Sequence, residues 1–424
     1  MKHIIIIANL YHASPRMPLL AKYIKKRGWH VTIVTNKINL KNNYMGLTTS
    51  LIKNNLEIVE TDEELVEKDI QNILRKKHSM KKSFWYYKIK SIIKYLYKKY
   101  LKIKNYPDQY KKWVPFALKK INTIIENNNI DAIISSSSPV TCHIVASKIK
   151  KKHNILWIAD LRDLWTQNHN YQYGTIRKYF ERKLELRTLK KADMLVTVSP
   201  IWVEELKLLH NKKKIFSITN GFDPEKLKTN SKIRLTSKYT ITYTGQIYTE
   251  GQDFNVILQA LKELILNNSI DKKDIEVLFY GKIREQLQKA INNYKLNEIV
   301  KQFGIIPWEE VYEKQAESQV LLLFAWGNKD GKGCYPLKSF EYLSAKRPIL
   351  VTGGLGNDVI EELIEDTNTG TYCRNIEDVK KAVLEYYCEY KDKKKVSYQG
   401  NIEKISKYSF NRLAEKYMDV IENN

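Results

Sequence analysis

The sequence predicts two α/β domains of similar size, each a doubly wound parallel sheet, facing one another across a cleft. Three observations lead there. The chain has 424 residues, more than one hydrophobic core usually serves. Short apolar runs alternate with longer helical patterns, the mark of parallel strands joined by crossover helices. That alternation breaks off at a polar stretch, about 224–238, and then starts again.

In the first half the strands read as Ile4–Ala8, His30–Thr35, Ala132–Ser135, Leu156–Ala159, Met194–Ser199 and Ile215–Thr219, with a helix over Pro18–Arg27. In the second half they read as Thr240–Tyr243, Glu276–Tyr280, Val320–Phe324 and Pro348–Thr352, with helices over Val256–Leu266 and Glu361–Glu365. Phe410–Ile421 places Leu413, Tyr417 and Val420 at helical spacing, an amphipathic helix that packs late. The expected division is 1–228, 229–403 and a terminal helix over 404–424 returning to the first domain. No repeat of 20 to 50 residues recurs, which disfavours a solenoid.

Composition narrows the class. At 43% hydrophobic and 28% charged residues, with 16 Gly and 10 Pro, the chain is globular and not low-complexity. Cys142, Cys334, Cys373 and Cys388 lack disulfide or metal-ligand spacing, so a reducing compartment without structural zinc is expected. The apolar start, Ile4 to Leu10, is short and reads as a strand rather than a signal peptide, and no window is long enough to span a bilayer. A cytoplasmic protein is expected.

The net charge of +25 is concentrated in one place. Between Arg75 and Lys120 there are 16 Lys or Arg against one acid, Asp108. Phe84, Trp85, Tyr86, Tyr87, Tyr95 and Trp113 lie among them, a mixture that interfacial segments use, since cations meet lipid phosphates while amphipathic rings sit at headgroup level. The stretch over 75–120 is therefore expected to face a membrane, the alternative being a solvated lysine-rich helix. It carries no RNA-binding signature, and nucleic acid is not an expected partner.

No Gly-x-Gly-x-x-Gly follows the first strand, where Asn9 to Arg16 stand, and no Gly-Lys-Ser/Thr loop occurs; NAD and P-loop chemistry are disfavoured. The chemistry-bearing stretches instead sit at strand ends. They are Ser135-Ser-Ser-Ser-Pro139, Trp157-Ile-Ala-Asp-Leu-Arg-Asp-Leu-Trp165, Val196-Thr-Val-Ser-Pro200, Thr219-Asn-Gly-Phe-Asp223, Tyr243-Thr-Gly-Gln-Ile-Tyr248, Phe279-Tyr-Gly-Lys282, Gly304-Ile-Ile-Pro307 and Tyr335-Pro-Leu-Lys-Ser-Phe-Glu-Tyr-Leu343.

In this order the series resembles the family 4 glycosyltransferases, retaining enzymes of the GT-B fold that use nucleotide sugars, and most closely the branch of bacterial surface-polysaccharide assembly. The resemblance implies a metal-independent hexosyl transfer from a nucleotide-diphosphate sugar, a co-substrate rather than a cofactor, to a lipid-linked or surface glycan at the inner face of the membrane. Cations and helix N-terminal amides can hold a leaving diphosphate without metal. On the donor side it points to Lys338, Glu341 and Ser339 with Gly245, Gln246, Gly281 and Lys282, Glu341 accepting from the ribose hydroxyls. Asp163, Arg162 and Asp160 are the catalytic candidates. Ser14, Arg16, His12, Ser137 and Ser138 are expected on the acceptor or phosphate side.

Several of these residues also have a plainer reading. Asp160, Arg162 and Asp163 fit a charged strand-to-helix turn, the serine run fits a polar turn, and His12, His143, His153 and His169 fit ordinary structural histidines. The chain departs from the family pattern twice. Gly333 stands eight residues before Glu341, where a glutamate is usual, and Gln246 and Glu250 stand where an Arg and a Lys commonly follow the glycine. These departures keep open a non-catalytic sugar- or membrane-binding protein of the same fold.

Overall fold

Strand β1 (His3–Ile7) is buried along its whole length and divides its isoleucines between two layers. Ile4 and Ile6 join one apolar cluster, Ile5 and Ile7 another on the opposite face, as the two-residue period of a strand requires. A strand buried on both faces has no use for polar alternation, which is why Ile4–Ile7 is an unbroken apolar run. The computed structural model describes residues 1–10, 14–37, 55–61, 104–171, 173–228, 233–248 and 251–423. His12, and residues 75–103 of the basic stretch, lie outside the described residues.

Seven parallel strands form the first sheet: β1, β2 (His30–Asn36), β3 (Glu57–Thr61), β4 (Ala132–Ser137), β5 (Leu156–Leu161), β6 (Met194–Thr197) and β7 (Lys214–Ser217), in the order β3-β2-β1-β4-β5-β6-β7. On one face packs α1 (Arg16–Lys26). On the other lie α2 (Val114–Asn127), α3 (Thr141–His153) and α5 (Pro200–Leu209), while α4 (Thr175–Leu189) packs beside α3. Asp108, the one acid of the basic stretch, is tied into this fold: it accepts from Thr141 N at 2.8 Å and Thr141 Oγ1 at 2.6 Å at the start of α3.

The second sheet has six parallel strands: β8 (Tyr239–Thr244), β9 (Ile275–Tyr280), β10 (Val300–Gly304), β11 (Val320–Phe324), β12 (Ile349–Thr352) and β13 (Gly370–Tyr372), ordered β10-β9-β8-β11-β12-β13. Its helices are α6 (Asn255–Leu266), α7 (Glu285–Tyr294), α8 (Trp308–Glu317), α9 (Leu337–Ala345), α10 (Val359–Thr367) and α11 (Ile376–Lys393). In each sheet the strand order reverses at one point, between β1 and β4 and between β8 and β11. Open sheets of this kind bind ligands at such points, outside the carboxyl ends of the strands.

Two further helices, α12 (Ile402–Ser406) and α13 (Phe410–Glu422), complete the described chain. Helix α13 packs on α1, with Phe410, Leu413, Tyr417 and Val420 in the core of the first domain. The Asn-Gly-Phe-Asp stretch fastens this return. Phe222 N donates to Tyr408 O (3.1 Å), Phe410 N donates to Phe222 O (3.0 Å), and a Cβ on Gly221 would stand 2.3 Å from Tyr408 O. Among the described residues no helix is long and apolar enough to cross a membrane.

Candidate functional site

Both switch points open onto one cavity of about 550 Å³ between the domains. The first domain contributes Ser14, Arg162, Asp163, His169, Asn170, Trp202 and Asn220; the second contributes Gly245, Gln246, Gly281, Lys282, Trp308, Trp326, Lys338 and Glu341.

On the second-domain side, two glycines let backbone segments close up. Gly245 has φ +109°, and a Cβ there would lie 3.0 Å from Lys338 Cε; a Cβ on Gly281 would meet Gly245 O at 2.1 Å. Helix α9 is docked to the end of β8 by Thr244 N donating to Tyr342 Oη (2.9 Å), which sets Lys338, in its first turn, against the Gly245 loop. Lys338 Nζ donates to Tyr243 Oη and to Gln246 O (3.4 Å), and lies 4.1 Å from the centre of the Tyr243 ring. Removal from water lowers this ammonium to about 7, with Glu341 pulling part of the way back. Burial likewise raises the Glu341 carboxyl, opposed by Lys226, Gln315 and Lys338.

Lys226 is a cation the sequence reading did not single out. It belongs to the segment joining the domains, stacks on Trp308 (4.5 Å) and Tyr312 (4.8 Å), and is lowered by burial while Glu341 and Asp223 oppose the shift. Gln246 presents its carbonyl to the lysine, and its side chain is exposed, as is Lys282.

Across the cavity, Arg162 and Asp163 follow β5 and form a pair at 3.5 Å. Asp163 O accepts from Ser137 Oγ at 3.2 Å. Beside them stands an aromatic wall. His169 meets Trp326 edge-on at 5.0 Å between ring centres and Trp202 at 6.2 Å, and Tyr248 lies 5.7 Å from Trp326. Trp326 stands two residues past β11, and Tyr248 closes the stretch that follows β8, so the rule that ligands gather at strand ends was the signal for both. His169 sits in a loop that carried no such signal.

Five candidates prove to be placed otherwise than expected. Asp160 is completely buried and does not line the cavity: Arg16 Nη2 pairs with it at 2.8 Å, Ser136 Oγ donates at 2.7 Å and Tyr417 Oη at 2.5 Å. Burial pushes its carboxyl up, but the Arg16 guanidinium with these hydrogen bonds outweighs burial and holds it below the usual range. Arg16 is turned inward as well, donating also to Ile218 O (2.8 Å) and Thr219 O (2.5 Å), and does not line the cavity. Ser137 is buried and holds Asp163 from behind; Ser138 is exposed and off the cavity. Ser339 is fully buried beneath the first turn of α9. Among the described residues of the acceptor-side group only Ser14 reaches the cavity.

Gly333 has a physical reason. A Cβ there would fall 2.5 Å from Trp202 Cδ1 and 3.2 Å from Ile201 Cβ, so the loop of the second domain lies flat on the start of α5. Ser199 caps that helix by accepting from Trp202 N (3.3 Å), which fixes the indole. Among the described residues no group of three His, Cys, Asp or Glu side chains is placed to hold a metal ion.

Two Rossmann-like domains enclosing one such cleft define a GT-B protein. Residues 91–226 match the family model described as Glycosyltransferase Family 4, and residues 238–389 the one described as Glycosyl transferases group 1. The chain is thus similar to glycosyltransferases in both halves, and in the first half to family 4. A curated relative, the amylovoran biosynthesis glycosyltransferase AmsK of Erwinia amylovora, is 25% identical over 187 residues, 43% of this chain and 44% of the relative. The match thus spans less than half of that relative's length.

Solved structures share the fold at low identity. Anabaena Alr3699/HepE, in complex with UDP and glucose, has a TM-score of 0.65 at 8% identity with both chains fully covered. Sucrose-phosphate synthase of Thermosynechococcus elongatus has 0.63 at 11% identity, with 100% of this chain and 99% of that one covered. S. aureus TarM, in complex with fondaparinux, α-GlcNAc-glycerol and UDP, has 0.59 at 12% identity, with 99% and 100% covered.

Proposed function

We propose that the protein is a glycosyltransferase that moves a sugar from a nucleoside-diphosphate sugar to a hydroxyl of a glycan or lipid-linked acceptor in surface-polysaccharide assembly. The observation that carries this reading is Lys338, an ammonium held in the first turn of α9 against a glycine loop and facing Arg162 and Asp163 across the cleft. In this reading Lys338 and the amides of the first turn of α9 take the diphosphate, and Glu341 takes the ribose hydroxyls. Arg162 and Asp163 orient the transferred sugar or the incoming hydroxyl. The departing diphosphate accepts the hydroxyl proton on the face it leaves, so configuration is retained and neither a separate base nor a metal is required.

Relatives support the donor class: the HepE and TarM structures are complexes with UDP, and another HepE structure is a complex with UDP-glucose. AmsK, an amylovoran biosynthesis glycosyltransferase, supports the polysaccharide setting. Work at the inner membrane face is part of the proposal.

The test is a panel of UDP-, GDP-, CMP- and dTDP-sugars screened by thermal shift, then by transfer to membrane-extracted lipid acceptors with and without EDTA, with the product anomer read by NMR. A ligand at 100 times its Kd raises stability by about 2.7 kcal/mol, a visible shift. Stabilisation by a UDP-sugar with EDTA-resistant transfer is expected. Binding without transfer or hydrolysis would favour the non-catalytic alternative, and binding of none would overturn the donor site.

A further inference from the structure

Helix α4 has two faces of opposite character. Inward, Glu181, Glu185, Thr188 and Leu189 are buried, and both carboxylates are engaged: Glu181 with Arg177 at 2.5 Å, Glu185 with Thr166 N at 3.2 Å. Outward, at spacings of three and four, stand Ile176, Tyr179, Phe180, Lys183, Leu186, Arg187 and, just past its end, Lys190. At 100° per residue these seven fall within an arc of about 120°, one continuous stripe. Soluble surfaces carry single apolar residues routinely, but Ile176 is 77% exposed, Tyr179 56% and Phe180 55% within two turns.

The stripe is also one-signed. It holds three cations and no acid, because both acids of the helix point into the protein. Tyr179 and Phe180 meet edge-on at 5.5 Å, and Lys183 Nζ lies 4.4 Å from the Tyr179 ring centre. At the N-terminal end Arg177 donates to Asn105 O (3.3 Å) and Pro107 O (2.8 Å), bringing Lys104 and Lys111 alongside. An apolar ridge that, among the described residues, is bordered by cations is complementary to a surface that is apolar inside and anionic outside.

We infer that this outward face of α4 docks the protein on an anionic lipid bilayer, with Ile176 and Phe180 inserted among the acyl chains and Lys183, Arg187 and Lys190 at the phosphates. The inference deepens the membrane part of the proposed function and is independent of the transfer chemistry.

The experiment is co-sedimentation of the full chain with vesicles of phosphatidylglycerol and phosphatidylcholine, or of phosphatidylcholine alone. Donor-nucleotide affinity and sedimentation velocity are recorded in parallel. Wild type should bind the anionic vesicles, ignore the neutral ones and be partly released at high salt, where charges are screened. Lys183→Glu with Arg187→Glu and Lys190→Glu should weaken binding at least about 100-fold, and Ile176→Asp with Phe180→Asp about 10- to 100-fold. Unchanged melting temperature and nucleotide affinity would show that both variants are folded.

If wild type binds and both variants bind equally well, this face is not the docking surface although the membrane reading stands. If wild type binds no vesicle, both fall. If wild type is a dimer that Phe180→Asp dissociates, the occupant is a second copy and the inference is overturned.

Discussion

Lys338 makes donor binding depend on pH in a way a surface lysine would not. Burial lowers its ammonium from the ordinary 10.5 to about 7, so the free protein at pH 8 holds it mostly neutral, whereas a bound diphosphate favours the charged form. Affinity should therefore fall as pH rises above 7, by about three- to fivefold per unit at first. The fall levels off once the whole charge-assisted contact is lost, a limit of about 1.5–3 kcal/mol, or roughly 10- to 100-fold. Binding at pH 8 should take up roughly 0.4 to 0.8 of a proton per site, since a 10- to 100-fold preference for the charged form lifts the bound lysine by about one to two pKa units; this is read by calorimetry in buffers of different ionisation enthalpy.

Stability moves the other way. Between about 7 and 10.5 the unfolded chain binds the proton that the folded one has released, so the lysine's contribution to stability rises with pH across that window. Lys338→Met should weaken binding at pH 6 about 10- to 100-fold and remove both dependences. Nucleotide affinity that is flat from pH 6 to 9 in wild type, with no proton uptake, would refute the assignment.

Two further predictions concern neighbouring residues. Asp160→Asn leaves Arg16 buried without its partner and should cost about 3–5 kcal/mol in urea unfolding, at neutral pH where the carboxylate is fully charged; Asp163→Asn should keep its stability and lose kcat with donor Kd unchanged. Equal stability losses in both, or none in Asp160→Asn, would erase the distinction. Gly333→Glu should lower the melting temperature by overpacking worth about 1–3 kcal/mol without tightening donor binding, and Trp202→Ala in the same chain should recover part of it. A stable Gly333→Glu with improved affinity would mean that Trp202 gives way.

The sheets were legible in the sequence where strands are buried on both faces. All the interior strands, β1, β2, β4, β5, β6, β8, β9, β11 and β12, appear there as apolar runs. Three strands were not seen, and all three are sheet edges: β3 with Glu57 and Glu60, β10 with Lys301 and Gln302, and β13 with three residues. An edge strand packs less of itself, so composition constrains it less.

The site was partly legible for a similar reason. The end of β5 located Arg162 and Asp163 at the cleft, while Lys338 and Glu341, which lie in helix α9 and not at a strand end, were indicated by the family resemblance. Whether a charged residue at such an end faces the ligand or the core depends on partners far away in sequence. Arg16 and Asp160 are 144 residues apart, and Tyr417, which donates to Asp160, is a further 257 residues on. No local pattern marks that three-way contact, and the same holds for Lys226 beside Glu341.

The two departures from the family pattern acquire a common consequence from the geometry. Next to Gly245 the space is taken by Lys338 itself, whose ammonium is held by a phenol and a carbonyl instead of a carboxylate. At Gly333 the indole of Trp202 occupies the place of a side chain. Among the described residues, the charged groups that the second domain presents to the cavity are Lys338, Lys282 and Glu341. Arg162, Asp163, His169 and Asn170 of the first domain face the remaining volume. In the proposed reaction the second domain then holds chiefly the nucleoside diphosphate, and the choice among sugars passes to the first domain. Buried polar groups built to pair with a hydroxyl discriminate strongly against a sugar lacking it, because they would be left unpaired. Sugar specificity should therefore follow residues 162–170 more closely than the loop around Gly333.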